Sequence, residues 1–391
     1  MRGSAGDDPE AIIPFRIEVP EADLVDLRRR LGATRWPPEG PGGGWEEGVP
    51  GSYLRGLVEH WEDAYDWRQA EARLNAFPQF KTRLDGTDVH FIHVRSREPD
   101  ALPLIVTHGW PGSIVEFIEV IRPLVDPRAY GGAPADAFDL VVPSIPGYGF
   151  SGPTTEVGWD VPRVARAWKS LMARLGYKRY GAQGGDWGSA ISQELARIDT
   201  ARLVGVHLNL LMTAAPPGAD VAGLSAQDKL AATTADDFRT RRSGYLQVNA
   251  TQSQTLAYGL TDSPVGQLAW IVDKMMEWSC ATEVPEEAID RDLILTNVMT
   301  YWLNRTAASA ARLYRTPTAA RSRRRRVEAP TAVAIFPSDI ARPVRAWAEQ
   351  MANIVRWTEM DRGGHFAALE APDLLVEDVR AFFREIRPRR S

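Results

Sequence analysis

Gly184-Gly185-Asp186-Trp187-Gly188 lies between a stretch of strand character and one of helical character, Ser189 to Arg197. Small residues two places before and two places after a central polar residue permit a turn too tight for larger side chains. Such a turn pushes the central residue, here Asp186, out at the top of a sheet. Glycines around an aspartate also make ordinary turns, so the reading depends on what flanks this one.

The flanks alternate strand and helix. Val89 to Val94 alternates with period two and predicts a half-buried strand, while Leu102 to Thr107 is a continuous apolar run, as in a strand covered on both faces. Ser113 to Val125 has helical spacing, and Phe138 to Pro143 reads as a strand. Asp160 is placed to cap a helix ending at Gly176, with Val164, Ala167, Trp168, Leu171 and Leu175 on one face. Further strands are expected before Gly184 and at Leu203 to Leu210, Thr331 to Phe336 and Ile354 to Glu359. This succession predicts an α/β fold: a mostly parallel sheet flanked by helices. Between Met212 and Arg326 the alternation stops, and helical stretches near Ala226 to Ser243, Val265 to Trp278 and Asp290 to Leu313 read as a lid over the strands' carboxyl ends. The front, rich in tryptophan and charge, has helical pieces at Glu21 to Leu31, Ser52 to Trp67 and Trp67 to Phe77. It shows no strand series of its own and reads as an arm. The expected division is an arm at 1–85, a first core part at 86–211, a lid at 212–326 and a second core part at 327–391.

Composition narrows the function classes. Of 391 residues 44% are apolar and 25% charged, which excludes wholesale disorder. Forty-six basic against 51 acidic residues, net −5, nominate neither nucleic acid nor an anionic membrane as partner. The run at Arg321 to Arg326 therefore reads as a solvated loop. The one cysteine, Cys280, forms no internal disulfide and builds no zinc–thiolate site, which fits a reducing cytoplasm. Neither a signal peptide nor 18 consecutive apolar residues is visible, so a soluble, cytoplasmic protein is expected. No metal or cofactor is expected either.

The chemistry-bearing residues follow the strands. His108-Gly109-Trp110-Pro111-Gly112-Ser113 comes directly after the Leu102 to Thr107 run, where this architecture places a second oxyanion donor. The backbone N–H groups of Trp110 and Trp187 are then expected to face one spot, with His108 pinning the turn. His365, in Gly363-Gly364-His365-Phe366 after the last strand, stands where a general base belongs. His60, His90, His93 and His207 fall inside predicted elements and read as core or surface residues. Asp339 follows another strand end and is the candidate orienting acid. Asp361 competes, but lies too near His365 in sequence. The order Asp186, Asp339, His365 is nucleophile, acid, base.

An aspartate with a pKa of about 3.9 is ionised at neutral pH and attacks without a base. It suits displacement at saturated carbon, giving an ester on the enzyme that water then cleaves. The leaving group is either halide or the oxygen of a strained epoxide. The epoxide needs an acid at its oxygen, and the lid carries Tyr245, Tyr258, Tyr301 and Tyr314.

The chain resembles the microsomal-type epoxide hydrolases, of α/β-hydrolase fold, along nearly its whole length. The resemblance is carried by HGWPGS at His108, GGDWGS at Gly184, GVHLN at Gly205, TDSPVG at Thr261, LTNVMTYW at Leu295 and RGGHFAALE at Arg362. In front, GVPGSYL, YDWRQAEARLNAFPQF and HFIHVRS resemble the family's N-terminal region. The resemblance implies Asp186 as nucleophile, Asp339 as charge-relay acid, His365 as base and Tyr245 and Tyr314 as proton donors. Some relatives carry glutamate at the acid position. A membrane-anchoring N-terminal helix, present in vertebrate relatives, is expected to be lacking. The Arg/Ala/Gly-rich composition resembles actinobacterial relatives, some of them in natural-product pathways such as enediyne assembly. A small apolar or aromatic epoxide and water are the implied partners, and the arm is compatible with packing inside the chain or across a homodimer. The alternatives are a haloalkane dehalogenase, with Trp187 as halide donor, and a non-catalytic ligand-binding member of the fold. A serine esterase is disfavoured by Asp186 itself.

Overall fold

The computed structural model describes residues 10–40, 42–216, 218–315 and 325–387. Nine strands form one sheet: β1 (Ile13–Phe15), β2 (Gln79–Leu84), β3 (Thr87–Val94), β4 (Leu102–Thr107), β5 (Phe138–Pro143), β6 (Tyr180–Gly185), β7 (Leu203–Asn209), β8 (Val327–Ile335) and β9 (Ala352–Glu359). Their order is β1-β2-β3-β5-β4-β6-β7-β8-β9. From β5 onward the pairings are parallel, while β1, β2 and β3 add antiparallel. This is the α/β-hydrolase architecture.

The helices fall into three groups. The arm supplies α1 (Glu21–Gly32), α2 (Gly51–Asp63) and α3 (Trp67–Leu74). The sheet is wrapped by α4 (Ile118–Val125), α5 (Val161–Arg174) and α6 (Asp186–Ile198). The insertion contributes α7 (Ala226–Asp237), α8 (Gly244–Asp262), α9 (Pro264–Trp278), α10 (Arg291–Asn304) and α11 (Ala307–Ala311). After it come α12 (Arg345–Met351), α13 (Ala367–Glu370) and α14 (Pro372–Ile386).

The local chemistry is plain at several ends. Asp160 accepts the Arg163 N–H and caps α5, whose Val164, Trp168 and Leu171 are fully buried. Each such side chain contributes roughly 1.5–3 kcal/mol. Ser263 caps α9 and Pro264 opens it, which explains the TDSPVG segment.

Four expectations change. The arm does carry strands, because β1 and β2 extend the sheet past β3. β3, now an inner strand between β2 and β5, is buried on both faces rather than half-buried. His90 sits between Gln79 and Ser144, and His93 meets Tyr177. The helix expected at Asp290 to Leu313 is broken where Arg305 takes a left-handed conformation, φ +52°. The helix expected at Ser113 to Val125 starts as a 3-10 turn, Ile114–Phe117, capped by Ser113. Of the arginine run, 321–324 lie outside the described residues; Arg326 pairs with Glu328, and the Arg325 carbonyl accepts from Arg197.

Candidate active site

Asp186 stands where β6 turns into α6, with a left-handed backbone, φ +49°. A side chain at either flank would collide: a Cβ on Gly184 would lie 2.3 Å from the Gly188 backbone, and one on Gly188 would lie 1.9 Å from the Thr107 carbonyl oxygen. The tight turn read from the sequence is therefore a steric requirement. It leaves the carboxylate at the amino end of a helix, where the dipole favours negative charge.

The loop after β4 meets it. The Trp110 N–H donates to Asp186 Oδ1 at 2.8 Å, and the Trp187 N–H also reaches the carboxyl. Burial pushes the Asp186 carboxyl up, while the nearby His365 and the two N–H groups pull it back. His108 pins the loop: its Nδ1 meets the Gly109 carbonyl at 2.9 Å and its Nε2 accepts the Ile145 N–H at 3.1 Å. Burial holds that ring neutral, with a pKa lowered to about 4. The lid grips the same loop from above. Asn297 Nδ2 donates to the Pro111 carbonyl (2.8 Å), Tyr301 to that of Gly112 (2.7 Å), and Ser113 Oγ to Asn297 Oδ1 (2.7 Å). This accounts for Asn297 and Tyr301 of LTNVMTYW, which lie four apart on one face of α10.

His365 lies opposite. Its Nδ1 is 2.8 Å from Asp339 Oδ1, and its Nε2 is 3.6 Å from Asp186 Oδ2. Burial disfavours the imidazolium, but Asp339, then Asp186 and Glu116, outweigh it and push the ring up to about 9. The remaining histidines are elsewhere: His60 on Asp292, His207 on Asp378, His90 and His93 in β3. Asp361 is 80% exposed beside Arg362 and takes no part.

Of the four lid tyrosines, two converge on Asp186. The Tyr245 ring stacks on Trp110 (5.1 Å between centroids), and Tyr314 stands edge-on to Trp187 (4.8 Å). Their rings are 6.0 Å apart, and burial, with Asp186 nearby, holds both phenols well above their usual pKa. The Tyr314 hydroxyl is buried without a hydrogen bond of good geometry, and only the Tyr245 hydroxyl and Trp187 stand close to it. Tyr258 is 72% exposed, and Tyr301 is spent on the Gly112 carbonyl.

Four contributors escaped the sequence reading. The Trp278 carbonyl accepts the His365 N–H (2.9 Å), and its ring packs on both His365 and Tyr245. Glu370 accepts the Phe366 and Cys280 N–H groups, each at 2.8 Å, tying the base's loop to the lid. Tyr148 and Glu116 lie within electrostatic reach of Asp186. Glu370 stands in the quoted segment RGGHFAALE and Glu116 three residues past HGWPGS, but neither was singled out. A cleft of about 510 Å³ between arm and lid, lined by Trp45, Gly48, Arg241, Lys274 and Glu277, reaches Tyr245 from outside. Among the described residues no group of His, Cys, Asp or Glu is arranged to hold a metal, and no helix is long and apolar enough to cross a membrane.

Known proteins share this fold. Residues 12–117 match the family described as epoxide hydrolase N terminus, and residues 103–266 match the alpha/beta hydrolase fold. A candidate epoxide hydrolase of Stigmatella aurantiaca (strain DW4/3-1) is 46% identical over 96% of this chain and 86% of its own. Epoxide hydrolase 1 of Oryctolagus cuniculus is 32% identical over 96% and 90%. Among solved structures, the Aspergillus niger epoxide hydrolase superposes with a TM-score of 0.87 at 33% identity, covering 96% of this chain and 97% of that one. The chain belongs to the epoxide hydrolases, enzymes built on the α/β-hydrolase fold.

Proposed function

We propose that the enzyme opens its epoxide through an ester on Asp186. An Asp186 oxygen attacks one ring carbon and the C–O bond breaks, while Tyr314 and Tyr245 hydrogen-bond the leaving oxygen and give it a proton. Water then adds to the Asp186 carbonyl carbon, passing one proton to His365 Nε2 while the Trp110 and Trp187 N–H groups hold the oxyanion. The tetrahedral centre expels the diol oxygen, which takes that proton. The proton left on Asp186 makes good the one given up by the tyrosines, so epoxide and water leave as a vicinal diol.

The Tyr314 hydroxyl carries this reading. Buried hydroxyls are nearly always satisfied, and this one, beside Asp186, makes no hydrogen bond of good geometry and has only the Tyr245 hydroxyl and Trp187 close by. An acceptor that arrives with the substrate, an epoxide oxygen, satisfies it. A halide needs no such acid, so the pair of tyrosines favours epoxide opening over dehalogenation. The walls around them, Trp110, Trp187 and Trp278, favour a small apolar or aromatic epoxide.

Incubating His365→Gln with styrene oxide tests it. Intact-protein mass is expected to rise by one epoxide, located on the Asp186 peptide and absent from Asp186→Ala. A wild-type enzyme that turns over styrene oxide while His365→Gln gains no mass would overturn the mechanism.

A further inference from the structure

One more phenol stands beside Asp186 than epoxide opening uses. Tyr148 lies in the turn after β5, and its backbone is spent there: its N–H donates to the Ile145 carbonyl (2.8 Å), and its own carbonyl accepts from the Ser151 N–H (2.9 Å). Its ring packs edge-on against His108 and Tyr301, with centroids 5.3 and 6.2 Å away. The side chain is fully buried, yet its hydroxyl has no hydrogen-bond partner among the described residues. Phenylalanine would fill the same space without leaving a hydroxyl stripped of water. Asp186, Tyr245, Tyr314 and Tyr301 all lie within its electrostatic reach. Burial, with Asp186 and Tyr245 nearby, holds its pKa well above the usual phenol value, so it is a hydrogen donor at neutral pH.

The acceptor this hydroxyl lacks is not the ring oxygen. That oxygen has two lone pairs, and in the mechanism above Tyr245 and Tyr314 take both. Tyr301 is spent on the Gly112 carbonyl. In the sheet, β5 and β6 flank β4. Tyr148 and Asp186 therefore rise from opposite sides of the β4 loop, while Tyr245 and Tyr314 come from the lid. A substrate held among the four meets Tyr148 with a part other than its ring oxygen.

We propose that Tyr148 is a specificity-determining residue whose hydroxyl donates to an oxygen on the epoxide's substituent, an ether, alcohol or carbonyl near the three-membered ring. Oxygen-bearing epoxides are then preferred over hydrocarbon ones of the same shape. The inference deepens the epoxide reading above and rests on it.

The test pairs benzyl glycidyl ether with its all-carbon analogue, in which a methylene replaces the ether oxygen. The two differ in intrinsic reactivity. That difference cancels when the ratio of their kcat/KM values, ether over carbon, is compared between wild type and Tyr148→Phe. The ratio is expected to fall about tenfold in the variant. An unchanged ratio overturns the proposal and leaves the hydroxyl to a bound water. An equal fall for both epoxides, or a variant that does not fold, also overturns it, because the hydroxyl then serves the fold. His365→Gln separates the two readings. No mass gain on Asp186 from either epoxide overturns the ester mechanism, whereas a gain from both with an unchanged ratio overturns this inference alone.

Discussion

His365 Nε2 lies 3.6 Å from Asp186 Oδ2, so the proposed base faces the carboxylate of the proposed nucleophile before any substrate binds. The imidazole is therefore charged in the resting enzyme, its pKa pushed up to about 9 because Asp339, Asp186 and Glu116 outweigh burial. Esterification removes the Asp186 charge, so the ring's pKa must fall, and it becomes a base when one is needed. The rate constant for ester breakdown is expected to rise with pH to a plateau, with an apparent pKa below that of the resting ring. A breakdown rate that stays flat between about pH 5 and pH 9 speaks against His365 as the base.

In the proposed mechanism Tyr245 and Tyr314 act in the other half-reaction. Tyr245→Phe or Tyr314→Phe is expected to slow ester formation by at least about tenfold, and the double variant by roughly 10²–10⁴-fold. Ester breakdown should be unaffected. Rapid-quench measurement of both steps checks this, and loss confined to breakdown rules out the assignment.

In the proposed mechanism Asp339 acts through His365, 2.8 Å away. In Asp339→Asn the amide is expected to hold the ring less well and to stop favouring its charge. Breakdown should then fall about 10²-fold or more while alkylated enzyme builds up. An unchanged steady-state rate, without accumulating ester, removes Asp339 from the mechanism.

Gly188→Ala places a methyl 1.9 Å from the Thr107 carbonyl oxygen, a backbone atom that cannot swing aside. Overpacking of this kind costs roughly 1–3 kcal/mol and displaces the turn that aims Asp186. A lowered thermal midpoint with loss of turnover is expected. Full activity in this variant contradicts the steric account.

Asp378 tests stability apart from chemistry. It accepts from His207 (3.0 Å), Arg356 (2.7 Å) and Thr358 (2.8 Å), tying α14 to β7 and β9. Burial would raise its pKa, but those partners lower it to about 2. A depressed carboxylate contributes stability that is present above its unfolded pKa, near 3.8, and lost as pH falls through about 2. Asp378→Ala is expected to cost roughly 3–5 kcal/mol in denaturant unfolding, leaving the rate per folded molecule near wild type.

Sequence patterns located β4 and β5 to the residue, because a parallel strand buried on both faces is a bare apolar run ended by turn residues. The catalytic turn was legible for the same kind of reason: only glycine fits at 184 and 188. By contrast α8 gave no signal. Its buried positions are Tyr245, Asn249, Ser253, Ala257 and Leu260, a stripe half polar, and the helix kinks at Gln252. The polar strand β2 was equally silent, since it forms by covering the open edge of β3 rather than by its own apolar pattern. Glu116 and Glu370 stayed hidden because a glutamate on a helical segment ordinarily faces water; only the chain's return path buries these two.

The three hydrogen bonds from Ser113, Asn297 and Tyr301 have a mechanical meaning. They weld α10 to the strip of backbone that carries the Trp110 N–H. Swinging that helix outward would strand buried polar atoms and displace the loop whose Trp110 N–H holds Asp186. The cleft that reaches Tyr245 lies on another flank, where arm and insertion part.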